Sequence, residues 1–419
     1  MDRFVGIDFG TTNSAVALAT TDGAAWLAEL PGPGGEPATT WRTVLHFDPT
    51  EREARAGAPA IEHYLEVEGE GRLVQSLKSY LASPRFTSTV ILGRSWSLES
   101  LIAEFLRRLR RAAGEDLGRR AVVGRPVRYW GATDADDDAR AVKRMRTALA
   151  AAGFDEVVFE YEPAAAAARY ADALDHQELI LVADFGGGTS DFSLVRVGPG
   201  LEAGDPGTLL GTAGVGIGGD SFDARVIDAR VAPALGRGSS YRDEFGAPTP
   251  VPAWLYTRLR RWHHLSFLKA PDTMNLLERL AHGAIEPERI DRLVRLVRDD
   301  LGLPLHQAVE RVKLALSAGD RGELDVPELD LKEPITRSEL ETWIAGDLAI
   351  IDELVAGLLT QASIEAADVD RVFATGGSSL VPAVRGLLAA RFGGEKLVGG
   401  EELTSVARGL ALRARQILG

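Results

Sequence analysis

Short apolar runs closed by tight polar turns alternate along the chain with longer stretches in which apolar residues recur every three or four positions. The first run, Phe4-Val5-Gly6-Ile7, ends on Asp8-Phe9-Gly10. The small polar turn Thr11-Thr12-Asn13-Ser14 follows, then a second apolar run from Ala15 to Leu18. This pattern predicts two strands joined by a hairpin. The same plan returns 176 residues later, with Leu179 to Ala183 leading into Asp184-Phe185-Gly186-Gly187-Gly188-Thr189-Ser190-Asp191 and then Phe192 to Val195. A repeat at that spacing is domain-sized and predicts two related lobes rather than a solenoid.

Between the hairpins the rhythm lengthens. Leu98, Leu101, Ile102, Phe105, Leu106 and Leu109 predict a helix over 98–117, and Ala121 to Val127 a buried strand stopped at Pro126. A helix over 139–152 and a strand over 157–161 follow. Glu162-Pro163 then opens an alanine-rich helix over 164–173, with proline in the first turn where it is tolerated. Strands alternating with helices in both halves predict an α/β protein. Two stretches read as insertions. The turn-rich Pro31 to Pro37 leads into one that runs to about residue 120. The other, from Pro252 to Ser317, reads as almost continuously helical, with Trp254, Leu255, Leu259, Trp262, Leu265 and Leu268 as a core-facing stripe. The predicted division is a lobe I over 1–173, with core 1–35 and 119–173 around an inserted subdomain of about 36–118. Lobe II covers 174–403, with core 174–222 and 335–403 around a helical insert of about 223–334. A C-terminal helix over 404–419 is expected to return to lobe I.

Composition removes several classes of function. In 419 residues, 45% are hydrophobic and 26% charged, as in an ordinary globular protein. The 47 Lys and Arg against 61 Asp and Glu give a net charge of −14, which argues against a nucleic-acid binder. The absence of cysteine excludes disulfides, zinc–thiolate sites, iron–sulfur clusters and thiol nucleophiles. The seven histidines are scattered, with His263-His264 the one adjacent pair, so no zinc site is expected. Asp134 to Asp138 reads as the acidic first turn of the next helix, and the basic cluster Arg107 to Arg111 as a solvated helix face. With no leader-like start and no apolar run long enough to span a bilayer, a cytoplasmic protein without membrane contact is expected.

The candidate chemistry lies in the two hairpins. Gly10, Thr11, Thr12 and Asn13, and again Gly186, Gly187, Gly188 and Thr189, can bring main-chain amides and hydroxyls against phosphate oxygens. Asp8 and Asp184 end buried strands at equivalent points of the repeat. Mg²⁺ keeps much of its water shell, and two facing carboxylates suit it.

At this point the chain resembles the nucleotide-binding domain of the heat-shock protein 70 (DnaK-type) chaperones, within the wider actin-like ATPase superfamily. Gly6 to Ser14 and Asp184 to Asp191 resemble that family's two phosphate motifs, and Glu160 to Ala166 its connecting segment. Gly216 to Asp223 is similar to its Gly-Gly-acid-x-Phe-Asp helix start, and Ala374 to Pro382 to its adenosine motif. The resemblance implies an actin-like ATPase fold (ribonuclease H-like): duplicated lobes around a nucleotide cleft, each with an inserted capping subdomain. It implies ATP or ADP and Mg²⁺ as ligands, with the metal held through water by Asp8 and Asp184. It implies catalytic roles for Lys78, Glu162, Asp184 and Asp191, although Lys78 on its own reads as a surface lysine. Binding residues carried over are Gly10 to Asn13, Gly186 to Thr189, Gly218, Gly219, Asp220, Glu310, Lys313, Ser317, Gly376, Gly377 and Ser378. Leu314 and Leu380 stand where the family has arginines over the adenine, which removes a cation–π attraction.

The family's interdomain linker and peptide-binding domain have no counterpart, which suggests the short, YegD-type branch. The expected function is slow Mg-dependent ATP hydrolysis in a chaperone-related nucleotide switch acting through a protein partner. A filament-forming or scaffold actin-like protein is the alternative, and a small-molecule kinase a third.

Overall fold

Strand β1 (Arg3–Phe9) and β2 (Asn13–Thr20) are antiparallel, with Asp8 opposite Ala15 and Phe9 opposite Ser14. The turn between them is tight enough that a Cβ on Gly10 would run into the Asn13 carbonyl. In the computed structural model residues 3–398 and 405–419 are described, apart from 52, 68, 115, 172–173, 202–207 and 262–267. They form two compact units.

The first unit comprises residues 1–216, 351–379 and 385–419 and holds two large sheets. In the first, β3 (Ala25–Leu27), β4 (Arg120–Arg125) and β5 (Glu156–Tyr161) join the hairpin in the order β5-β4-β1-β2-β3, and Trp41–Arg42 also pairs with β2. Strands β5, β4 and β1 are parallel, while β2 and β3 are antiparallel. The second sheet contains β6 (Glu178–Phe185), β7 (Ser190–Val197), β8 (Leu209–Val215), β9 (Arg371–Thr375) and β10 (Leu397–Val398). Its order, β8-β7-β6-β9-β10, reproduces the first strand for strand, with the same parallel and antiparallel pairings. The sequence repeat is therefore a duplication of the sheet topology.

Alternation along β1 sends Val5, Ile7 and Phe9 to one face and Phe4 to the other. The first group packs with Val16 and Leu18 against α1 (Leu98–Ala112) and α2 (Ala135–Ala151), through Leu101, Ile102, Phe105 and Met145. Phe4, Ala15, Ala17, Ala19 and Val122 make the opposite face. It is covered by Ala407, Leu410, Ala411, Ala414 and Leu418 of the C-terminal helix, Ser405–Leu418. Small residues there let the helix axis come close. A Cβ on Gly6 would meet the Ala411 backbone, and one on Gly409 the Ala165 carbonyl.

Several boundaries differ from the prediction for local reasons. Helix α1 ends at Ala112 rather than 117, where Gly114 turns into the left-handed region. Helix α2 starts earlier than 139, because the Asp134 carboxylate accepts from the Asp137 amide at 2.9 Å and caps it. Asp136 to Asp138 then form its acidic first turn, as expected. Strands β4 and β5 and helix α3 (Glu162–Ala171) fall where predicted, with helix positions beyond 171 and Thr404 outside the described residues. The Arg107–Arg111 cluster is not a free solvated face. Arg108 bonds Glu104 and Glu53, Arg111 bonds Glu53, and Arg110 stacks on Phe154.

The second unit comprises 217–350 and 380–384. It includes α4 (Gly219–Val226), helices over Pro271–Gly283 and Pro287–Arg298, α5 (Gly302–Ala318), and a hairpin of Arg321–Val326 with Leu331–Thr336. Residues 252–317 are thus not one near-continuous helix. Pro271 and Pro287 each sit in a first turn and restart the helix, and Asp300 adopts a positive φ between two of them. The expected stripe is corrected too. Leu255, Leu259 and Leu268 are buried, but Trp254 is 45% exposed. Trp262, His263, His264 and Leu265 lie outside the described residues. Among the described residues no helix is long and apolar enough to cross a membrane.

Candidate functional site

The carboxyl ends of β1, β4, β6 and β9 open into one cleft of about 520 Å³, and all its lining residues belong to the first unit. Asp8 and Asp184 sit one residue before the ends of β1 and β6. In the second hairpin the residue opposite the aspartate is Asp191, where the first has Ala15, so the duplicated hairpins differ by one carboxylate. The backbone after β9 reaches the cleft only because Gly376 adopts φ +79. A Cβ there would press on the Phe185 carbonyl and on Asp184.

Side-chain hydroxyls steer these acids. Thr375 donates to Asp184 at 3.0 Å and Thr189 to Asp191 at 2.8 Å. Ser378 donates to the Gly186 carbonyl at 3.3 Å, and Gly10 donates its amide to the Ser14 hydroxyl at 3.3 Å. Gly10 to Asn13, Gly186 to Thr189, Gly376 and Gly377 all line the cleft, so the two expected phosphate turns are brought together.

Lys78 is not a surface lysine. It sits on a short turn, Leu77–Tyr80, entered through Ser76 in the left-handed conformation. Its Nζ meets Glu162 Oε1 at 2.7 Å, with both side chains close to nine-tenths covered. Glu162 is the first residue of α3 and is delivered by the end of β5. Burial alone would depress the Lys78 ammonium, but Glu162 and Asp8 more than offset this and hold it above its ordinary value. The remaining acids are under strain of the opposite kind. Burial, and then the Glu162 charge, push Asp8 up to about 7 and Asp184 up to about 6. Burial pushes Asp191 up to about 7 against the opposing Thr189 bond.

Four carboxylates against two basic side chains, Lys78 and Arg128, leave this cleft with excess negative charge. Oxygen donors that resist ionisation fit a hard divalent cation, which would relieve that charge. Among the described residues no group of three or more acids and histidines forms a direct metal cage. A cation here would therefore have to keep water between itself and most of the protein.

The predicted site residues of 218–220, 310–317 and 380 lie in the second unit, whereas Gly376, Gly377 and Ser378 lie in the first. Lys313 of α5 pairs with Asp223 at 2.6 Å and approaches the Gly219 carbonyl at 3.3 Å, which joins the start of α4 (Gly218, Gly219, Asp220) to α5. Ser317 donates back to the Lys313 carbonyl at 3.0 Å. Glu310 is exposed on the same helix. Leu314 is 62% exposed and Leu380 is 36% exposed, both unusual for leucine and both open to an apolar ligand face.

The sequence reading missed the loop 126–132. Arg128, Tyr129 and Trp130 line the cleft. Tyr129 is buried, its hydroxyl pushed up to about 12 by burial. Trp130 is 52% exposed and lies on Gly216. The available signal was position, because the loop follows the carboxyl end of a parallel strand, where α/β sheets place their ligand loops.

The sequence matches the family model described as Hsp70 protein over residues 73–234 and 296–419. Chaperone protein DnaK of Thermosipho melanesiensis is 27% identical over 422 residues, and that of Thermosipho africanus 27% identical over 420. In each case the match covers 99% of this chain and 59% of the relative, so the chain spans little more than half the length of these proteins.

Proposed function

The chain belongs to the Hsp70 protein family and has its actin-like ATPase fold, and from that premise we propose that it binds ATP with Mg²⁺ and hydrolyses it slowly. Its role would be a chaperone-related nucleotide switch whose output passes through a protein partner. The observation that carries this reading is the duplicated, aspartate-ended hairpin pair facing the buried Lys78–Glu162 ion pair in one cleft.

In this mechanism the amides of Gly10 to Asn13 and Gly186 to Thr189 cradle the phosphates. Asp8 and Asp184 would hold the metal through its water shell, and Mg²⁺ there would supply charge that neutralises the polyphosphate. Asp191, whose carboxyl is pushed up to about 7 by burial, and Glu162 orient the attacking water. Lys78 leaves part of its bond to Glu162 to meet the charge that develops on the transferred phosphoryl group. Glu310, Lys313 and Ser317 contact the ribose, and Leu314 and Leu380 the base.

Calorimetric titration with ATP, ADP and GTP, with and without Mg²⁺, tests binding, and single-turnover hydrolysis tests the chemistry. Lys78→Ala and Asp184→Ala should each lower the single-turnover rate by about 100-fold or more. Unchanged rates in both variants would sink the assignment.

A further inference from the structure

The cleft is lined by Asp8, Glu162, Asp184 and Asp191 and by two basic side chains, Lys78 and Arg128. Lys78 is committed to Glu162 at 2.7 Å. Arg128 is different. Among the described residues it has neither a hydrogen bond nor an ion pair, and it is exposed into the cleft. A polyphosphate entering such an acidic site therefore meets one uncommitted cation.

The backbone beneath that side chain is held from both sides. Arg125 donates to the Pro126 carbonyl at 3.0 Å and to the Val127 carbonyl at 3.3 Å, and is itself anchored on Asp138 at 2.5 Å. On the other side the Tyr129 amide donates to the same Asp138 at 3.0 Å, and the Ala132 amide closes a turn onto the Tyr129 carbonyl at 3.0 Å. The Tyr129 ring is buried under the loop, and Arg125 lies over it at 5.6 Å. On a fixed base, binding costs the rotamer freedom of the guanidinium's own side chain but not the ordering of the loop that carries it.

The place is also right. The loop continues from β4, the parallel neighbour of β1, whose end carries Asp8 and the Gly10–Asn13 turn. Resting on the nucleotide reading above, we propose that Arg128 is a catalytic residue that donates N–H bonds to the non-bridging oxygens of the terminal phosphate. It thereby distinguishes ATP from ADP and stabilises the transferring phosphoryl group. A planar guanidinium matches two phosphate oxygens at once, which an ammonium does not. In the step it assists, a water oxygen bonds to the γ-phosphorus as the bridging γ-phosphorus–oxygen bond breaks. The electron pair of that bond leaves on the β-phosphate of ADP, and the water's proton ends on the released phosphate. Arg128 exchanges no proton.

The test uses the full chain with Arg128→Ala, Arg128→Gln and Arg128→Lys, measuring single-turnover hydrolysis with Mg²⁺ and the affinities for ATP and ADP. The alanine and glutamine variants should lose about 100-fold in rate. Their preference for ATP over ADP should fall about tenfold with ADP binding unchanged, as expected for one lost charge-assisted contact. Lysine should restore part of the rate. An Arg128→Ala protein with wild-type rate and wild-type ATP preference overturns the inference. A wild-type protein that binds no nucleotide instead overturns the reading beneath it, so the two failures are distinct.

Discussion

Replacing Asp8 by asparagine should make the protein more stable while abolishing its chemistry. Asp8 is crowded by Glu162 and Asp184, its one close positive neighbour is Lys78, and burial lifts its pKa from 3.8 to about 7. At about 1.36 kcal/mol per pKa unit, holding it ionised above pH 7 costs the native state about 4 kcal/mol. The side chain keeps some surface on the cleft, and the solvation it retains there brings the expected gain to about 2–4 kcal/mol. The sign follows from proton binding. Between pH 4 and 7 the native state holds a proton that the unfolded chain has released, so this group's contribution to stability falls as pH rises through that window. Asparagine does not titrate. The difference between variant and wild type should be near zero at pH 4 and grow to its full value by pH 8. There it should raise the melting temperature of the first unit by about 4–8 °C. Calorimetric melts of both proteins at half-unit pH steps, without nucleotide, give the comparison. An Asp8→Asn protein that melts below wild type at pH 8, or a difference that stays flat with pH, refutes the electrostatic reasoning.

Other expectations follow from the same geometry. Lys78→Met leaves Glu162 unpaired beside Asp8 and should cost about 3 kcal/mol in urea unfolding, with partial recovery in Lys78→Met/Glu162→Gln; no recovery would argue against the pair. Adding Mg²⁺ to nucleotide-free protein should raise the melting temperature at pH 8 more than at pH 5, where protonated aspartates no longer demand the cation, and equal shifts at the two pH values would contradict this. Gly376→Ala forces a side chain into a positive-φ position against Asp184 and Phe185 and should lose about 1–3 kcal/mol, read by denaturant titration. Leu314→Arg should tighten ATP binding about two- to fivefold by adding a cation over the base, measurable by calorimetry, while a weaker-binding variant would place the base elsewhere.

The aspartate-ended hairpins were legible because everything that makes them is local: an apolar strand, a carboxylate near its end and a turn of small residues. Duplication made them legible twice. Lys78 was not, because nothing around Ser76 to Tyr80 has a period, and its environment is created by Glu162, 84 positions away. Without its partner a lysine in a short turn has the pattern of a solvated one. The Arg128 loop was hidden behind Pro126, which reads as the stop of a strand although the chain beyond it returns to the cleft. Trp254 misled in the other direction. Helical spacing placed it among leucines that are buried, but the helix that begins at Trp254 ends at Thr257, so the spacing to Leu259 and Leu268 carried no single face.

The C-terminal helix sets a condition on how this protein is made. It covers the face of the first sheet built by Phe4, Ala15, Ala17 and Val122, residues synthesised 283 or more positions before the helix begins. At about 5–20 residues per second, that apolar face waits tens of seconds on the ribosome for its cover. During that interval the nascent chain presents an apolar sheet face of its own, the kind of surface that invites aggregation. A member of a chaperone family thus passes through a stage in which it is itself in need of shielding, and helix Ser405–Leu418 ends that dependence.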